Sequence, residues 1–198
     1  MSQAVSSRRT FLLSTAAIIA AGVGASLFSR FSGVFAAETI EGKAGKVKIQ
    51  RFTDLGKSIG IAEVDKVVKT EEEWRAQLAS APQPELTFVV TRQDGTERPF
   101  TGPNWDTHSA GLYRCICCDT ALYTNDTKFD SGTGWPSFWQ PIAEENVVHN
   151  IPQQGGYKVS CALCDAHLGH VFNDGPRPTG LRYCMDGVAL RFIPWPAA

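Results

Sequence analysis

Cys184 sits in the run Arg182-Tyr183-Cys184-Met185-Asp186, and two histidines, His167 and His170, precede it by 17 and 14 residues. A cysteine reacts as its thiolate, so a nucleophilic cysteine needs cationic or hydrogen-bonding neighbours. Arg182 and the histidines are residue types that supply them. Each has a plainer reading alone: Cys184 as a buried strand residue, the histidines as metal ligands or core hydrogen-bonders. Together, just downstream of a metal knuckle, they point to a redox thiol. A zinc ribbon that only holds a fold together has no use for a spare cysteine there.

The other cysteines fall into two C-x-x-C pairs, Cys115/Cys118 and Cys161/Cys164, with 42 residues between them and Cys117 left over. Four thiolates are the donor set of a closed tetrahedral structural zinc site, with no position open for water. The alternative is a set of three disulfides, which an oxidising compartment would permit. The vicinal pair Cys117-Cys118 and the two short C-x-x-C units make a poor framework of long-loop disulfides, so zinc is the expected ligand.

These groups need a scaffold, and the sequence suggests which. Thr70-Glu71-Glu72-Glu73-Trp74 opens a helix, with Thr70 as cap and Glu73 returning the hydrogen bond. Pro82 and Pro84 require it to end by Ala81. The β-branched run Leu86–Thr91, followed by the turn dipeptide Asp94-Gly95, predicts a strand and hairpin turn. Gly111–Cys115, Tyr157–Cys161 and Val188–Ile193 read as further short strands. Lys46–Gln50 alternates like a strand, but Gly42, Gly45, Gly56 and Gly60 interrupt its surroundings. No repeat and no βαβ alternation occurs. The expected fold is mainly β: a small antiparallel β-barrel or tent with an N-terminal helix and a structural zinc site.

Composition sets outer limits. Of 198 residues, 43% are hydrophobic and 20% charged, as in a soluble globular domain. The net charge of −1, with no lysine or arginine run, argues against nucleic acid as a partner. Arg8 and Arg9 precede 20 uncharged residues, Thr10 to Ser29, and small residues follow at Val34-Phe35-Ala36-Ala37. This is the pattern of a cleaved twin-arginine export signal. A permanent membrane helix is the competing reading, disfavoured by Gly22, Gly24 and the serines. Losing Arg8, Arg9 and Arg30 leaves 16 basic against 20 acidic residues, a net charge of −4. The expected location is the periplasm or another exported site, with the membrane met only in transit. A folded export route would also let the metal be loaded in the cytoplasm first.

Several stretches, in order, resemble the methionine-R-sulfoxide reductases (the B-type enzymes). They are Gly95-Thr96-Glu97-Arg98-Pro99-Phe100-Thr101-Gly102, the Cys115/Cys118 knuckle, Phe129-Asp130-Ser131-Gly132-Thr133-Gly134-Trp135-Pro136-Ser137-Phe138, and Cys164–Cys184. The resemblance spans roughly Thr70 to Pro194 and implies a division into signal (1–37), N-terminal extension (38–69) and reductase domain (70–198). It implies Cys184 as nucleophile on the sulfoxide sulfur, leaving a sulfenic acid. It also implies His167 and His170 as the histidines that line the site, one of them protonating the departing oxygen. Trp135 becomes the wall against the substrate S-methyl group, Arg182 and Asp186 lie beside the substrate, and Zn²⁺ is held by Cys115, Cys118, Cys161 and Cys164. The implied partners are methionine sulfoxide, free or in proteins, and a thioredoxin-like or other thiol reductant; the expected state is a monomer.

Two departures stand out. Many relatives carry a recycling cysteine at the position of Thr133; here Cys117 is the remaining cysteine that would resolve the sulfenic acid, the competing readings being an external thiol as reductant and Cys117 as an inert neighbour of the zinc knuckle. Relatives also commonly have Asn at the position of Asp186, where a carboxylate either opposes thiolate formation or stays protonated as a donor. No organic cofactor motif is visible. The competing function class is a zinc-ribbon binding or chaperone-like module in which Cys184 is incidental.

Overall fold

The computed structural model describes residues 44–153 and 156–196. The export segment and its cleavage point lie outside them. In chain order the elements are β1 (Lys46–Phe52), β2 (Ser58–Asp65), α1 (Glu71–Leu78), α2 (Pro84–Gln93), β3 (Gly111–Cys115), β4 (Ala121–Thr124), β5 (Lys128–Phe129) and β6 (Ser137–Phe138). Then follow β7 (Val147–Gln153), β8 (Gly156–Cys161), β9 (His167–Phe172), β10 (Arg182–Met185) and β11 (Leu190–Pro194). Single 3₁₀ turns lead into β5, β7 and β11.

Helix α1 begins as its sequence requires. The Glu73 N–H donates to the Thr70 hydroxyl at 3.2 Å, and the Thr70 N–H donates to the Glu73 carboxylate at 2.8 Å. This capping box satisfies two of the backbone donors a helix start leaves free. Trp74 and Leu78, one turn apart, are the buried face.

Helix α2 occupies the run that predicted a strand. Pro84 stands at its first turn, where the missing N–H costs nothing. Thr87, Phe88, Val90 and Thr91 then share a buried stripe, and the Thr91 hydroxyl bonds back to the Thr87 carbonyl at 2.7 Å. Tertiary burial at helical spacing thus outweighs the β preference of the branched side chains. Asp94, in the left-handed region at φ 57°, closes this helix, and the Gly95 N–H reaches the Val89 carbonyl at 3.1 Å. The dipeptide ends a helix rather than turning a hairpin.

The β strands form a six-stranded sheet ordered β5-β6-β10-β9-β8-β7 and a three-stranded sheet ordered β11-β3-β4. All strand pairs in them are antiparallel. The core lies between the sheets: Tyr123 of β4 stacks on Phe138 of β6 at 4.4 Å, and Tyr113 of β3 meets Phe138 edge-on at 5.0 Å. Strand β10 alternates across this boundary. Tyr183 and Met185 are buried, which leaves Arg182 and Cys184 on the opposite face. The mainly β, antiparallel architecture is the one expected.

The region before Thr70 holds the hairpin β1-β2. It is attached through the buried Asn146, whose side chain accepts from the Gln50 N–H at 2.9 Å and donates to the Gln50 carbonyl at 2.9 Å. Arg114 adds a hydrogen bond to the Phe52 carbonyl and an ion pair with Asp54.

Candidate functional site

Cys115 ends β3 and Cys161 ends β8, so the two C-x-x-C pairs come from different sheets. Each pair folds the same way. The Asp119 N–H returns to the Cys115 carbonyl at 2.9 Å, and the Asp165 N–H returns to the Cys161 carbonyl at 3.0 Å. Both aspartates are left-handed, at φ 64° and 57°, a conformation their short side chains tolerate. The four sulfurs lie within 4.8 Å of one another, with Cys115–Cys164 at 3.7 Å and Cys118–Cys161 at 3.4 Å. A tetrahedral metal with M–S bonds of ~2.3 Å requires S···S edges of ~3.8 Å, so the cluster is shaped to hold one ion. Its residues are buried apart from the partly exposed Cys118.

Cys184 lies on the central strand β10, paired with Ser137 of β6 on one side and His170 of β9 on the other. Gly169 makes this approach possible: at φ 145°, a Cβ there would run into the Cys184 carbonyl oxygen. Beside the thiol stand hydroxyls. Thr133 Oγ1 is 3.8 Å from Cys184 Sγ, and Ser131 Oγ bridges Thr133 at 2.8 Å and Ser137 at 2.7 Å. Arg182, two residues along the same face, forms a bidentate pair with Asp174 at 2.9 and 2.8 Å and lies over the Phe172 ring. Burial pushes the Cys184 thiol up, and Asp186 adds to this, while Thr133, Arg182 and Ser137 pull it down.

Behind Cys184 is a polar cluster that no local pattern announces. Glu97, only 2% exposed, accepts from the Gly187 and Val188 N–H groups at 2.6 and 3.0 Å. Its own N–H donates to Asp186 Oδ1 at 2.9 Å, and its carbonyl accepts the Trp135 indole N–H at 3.2 Å. One acid thereby ties together the turn after Cys184, the Asp186 side chain and the half-buried Trp135 ring. His167 is 1% exposed and packs edge-to-face on His170 at 5.3 Å between centroids. Its Nε2 is 3.8 Å from Asp186 Oδ2. Burial holds His167 down at about 4 and drives Asp186 up to about 7, so at neutral pH the imidazole carries no charge.

The fold brings Cys184, His170, His167, Arg182 and Asp186 into one neighbourhood, with Trp135 at its rim. Cys117 is elsewhere. It is buried beside Cys115 and Cys164, next to Thr91 and Arg92 of α2. Glu97 is the residue sequence reasoning passed over. Its signal was membership in Gly95–Gly102, one of the stretches carrying the resemblance.

Residues 84–194 match the SelR domain model, more than half of the chain and every element just described from α2 to β11. The chain belongs to the SelR family. Among SelR relatives, the peptide methionine sulfoxide reductase MsrB of Hahella chejuensis is 49% identical over 132 residues, covering 65% of this chain and 91% of that protein. The MsrB of Pseudomonas putida is 52% identical over 134 residues, 66% of this chain and 97% of that one. The chloroplastic peptide methionine sulfoxide reductase B1 of Oryza sativa is 51% identical over 125 residues, 62% of this chain and 56% of that one. The SelR match takes in all four metal-site cysteines together with Cys184.

Proposed function

We propose that this protein is a peptide-methionine (R)-S-oxide reductase, reducing methionine-R-sulfoxide, free or in proteins, and so repairing oxidised proteins. The observation that carries this reading is a thiol held between Thr133, Arg182 and His170, inside a domain about half identical to proteins named for that activity. Cys184 Sγ attacks the sulfoxide sulfur and takes its oxygen. The substrate sulfur gains two electrons, Cys184 loses two and becomes the sulfenic acid, and methionine leaves. Thr133 and Arg182 favour the thiolate, and the His167/His170 pair supplies a proton to an oxygen that is otherwise a poor leaving group. The Trp135 ring, fixed by its hydrogen bond to Glu97, walls the S-methyl side.

The reductant is a thioredoxin-like or other thiol: two thiols convert the sulfenic acid to thiol and water and leave as a disulfide. Zn²⁺ suits Cys115, Cys118, Cys161 and Cys164, a closed soft-donor set that acts as a structural clamp between the sheets. The Arg8-Arg9 segment supports export by the twin-arginine route, with the protein working as a monomer in the periplasm. Dithiothreitol-driven turnover of separate R and S epimers tests the central reading, with Cys184→Ser alongside. Reduction of R alone, lost in the variant, is the expected result. No turnover of either epimer by the folded protein would leave a metal-binding module.

A further inference from the structure

The His167 side chain is almost fully enclosed, yet among the described residues neither ring nitrogen has a hydrogen-bond partner. Buried polar atoms are rarely left so, and each case calls for a reason. Asp186 Oδ2 lies 3.8 Å from Nε2, beyond hydrogen-bonding distance. Asp186 is itself enclosed and has a second acid beside it, Glu97.

The two buried acids are not equivalent. Both Glu97 oxygens accept backbone N–H groups, at 2.6 and 3.0 Å, so its charge is solvated by the fold. Asp186 has one such donor, the Glu97 N–H on Oδ1. Its Oδ2 lies 3.8 Å from Nε2 of the uncharged imidazole. Two adjacent buried carboxyls do not both ionise easily, and the less solvated one takes the proton. That one is Asp186. Protonated on Oδ2, it is the donor His167 Nε2 lacks, and the gap is of the kind that closes when substrate seals a site. On the other side, His167 packs against His170, and His170 is paired across the strands with Cys184. Acid, histidine, histidine and the strand position of the thiol lie in one file, in which no hydrogen bond joins the His167 ring to either neighbour.

We infer that Asp186 is the proton store of the site: it receives the Cys184 thiol proton through His170 and His167 and returns it along the same file to the departing oxygen. This rests on the reductase reading above and deepens it. As Cys184 Sγ forms its bond to the substrate sulfur, the thiol proton passes to Asp186. As the oxygen transfers to Cys184, a proton passes from Asp186 Oδ2 to His167 Nε2 and on to that oxygen. Thiol and sulfoxide become sulfenic acid and sulfide, and no proton is drawn from solvent. Burial raises Asp186 to about 7 and raises Cys184 further into the alkaline range, so between the two the pair holds one proton to share. The groups facing this file are Glu97 from the loop after α2, Arg182 along β10, and the Asp94–Lys158 ion pair near the histidines.

The test is the pH dependence of single-turnover methionine formation in the whole chain, with Asp186→Asn, and of Cys184 alkylation by iodoacetamide in both proteins. The unmutated protein is expected to gain activity as pH rises through about 7, where Asp186 becomes able to accept the thiol proton. In Asp186→Asn that limb moves up to the thiol's own range, and turnover at pH 7.5 falls by ~100-fold, the size of a general acid–base contribution. Alkylation moves the other way and becomes faster, because a negative charge near the thiolate is gone. Turnover and alkylation rising together would reduce Asp186 to a repelling charge and overturn the inference, as would superimposable profiles. If the variant does not fold, an unmutated protein lacking the limb near 7 overturns it as well. An unmutated protein that alkylates normally but reduces neither epimer breaks the reductase reading instead.

Discussion

The molecule keeps its cysteines in two unlike places. At the knuckles, thiols face thiols: Cys115, Cys118, Cys161 and Cys164 point inward and can share one cation. At Cys184 a single thiol faces hydroxyls and a guanidinium, with His170 paired opposite it on the next strand. The residue type is the same and the local strand structure is similar, so chemistry is decided by what stands within about 4 Å of the sulfur. Four mutual neighbours make a ligand set, whereas one sulfur among donors makes a nucleophile.

That contrast can be broken most severely at the four-cysteine cluster proposed to hold zinc. Structural zinc contributes about 10 kcal/mol or more in small zinc domains, comparable to a whole domain's stability of about 5–15 kcal/mol. Stripping the ion with a chelator, or Cys161→Ser, should therefore abolish cooperative melting and near-UV circular dichroism. Cys184→Ser should leave both in place. A Cys161→Ser protein that melts like the parent would mean the knuckles do not hold the sheets together.

The remaining two changes sharpen the other side. Thr133→Val removes the hydroxyl nearest Cys184 Sγ without changing bulk. A neutral hydrogen bond contributes about 1 kcal/mol net, so alkylation of Cys184 at pH 8 should slow about threefold to fivefold. Arg182→Met should do less, because Asp174 already neutralises the guanidinium at a partly exposed position; a slowing under about threefold is expected. Its signature is salt: raising ionic strength should slow the parent and leave the variant unchanged. A Thr133→Val rate equal to the parent's would show that the hydroxyl file does not reach the thiol.

What could be read beforehand divides along range of interaction. The capping box of α1 and the metal knuckles are written within a few residues, Thr70 to Glu73 and Cys115 to Cys118, and were legible. The same holds for β3 and β8. The run Leu86–Thr91 was misread because its branched residues are favourable in strands, while its helical stripe is decided by what Phe88 and Val90 pack against. The hairpin's second strand was hidden by Gly60, which local rules count as a break. Glu97 carried no local mark at all, since the partners of its carboxylate and N–H lie 89 to 91 residues away at Asp186, Gly187 and Val188. Cys184, His167 and His170 stood out as an unusual set, and the resemblance then supplied their roles. The orphaned imidazole between Asp186 and His170 is a fact of packing that no spacing expresses.

Cys184 is carried on an interior strand, with β6 on one flank and β9 on the other. Nucleophiles set in loops can drift whenever a few hydrogen bonds open, on time scales well below a millisecond. Here displacement would require unzipping two ladders at once, an event as rare as loss of the whole sheet, so the amide hydrogens around Cys184 should be among the slowest to exchange. The sulfur therefore waits in register between successive encounters. A damaged methionine that arrives on a disordered segment does all of the moving.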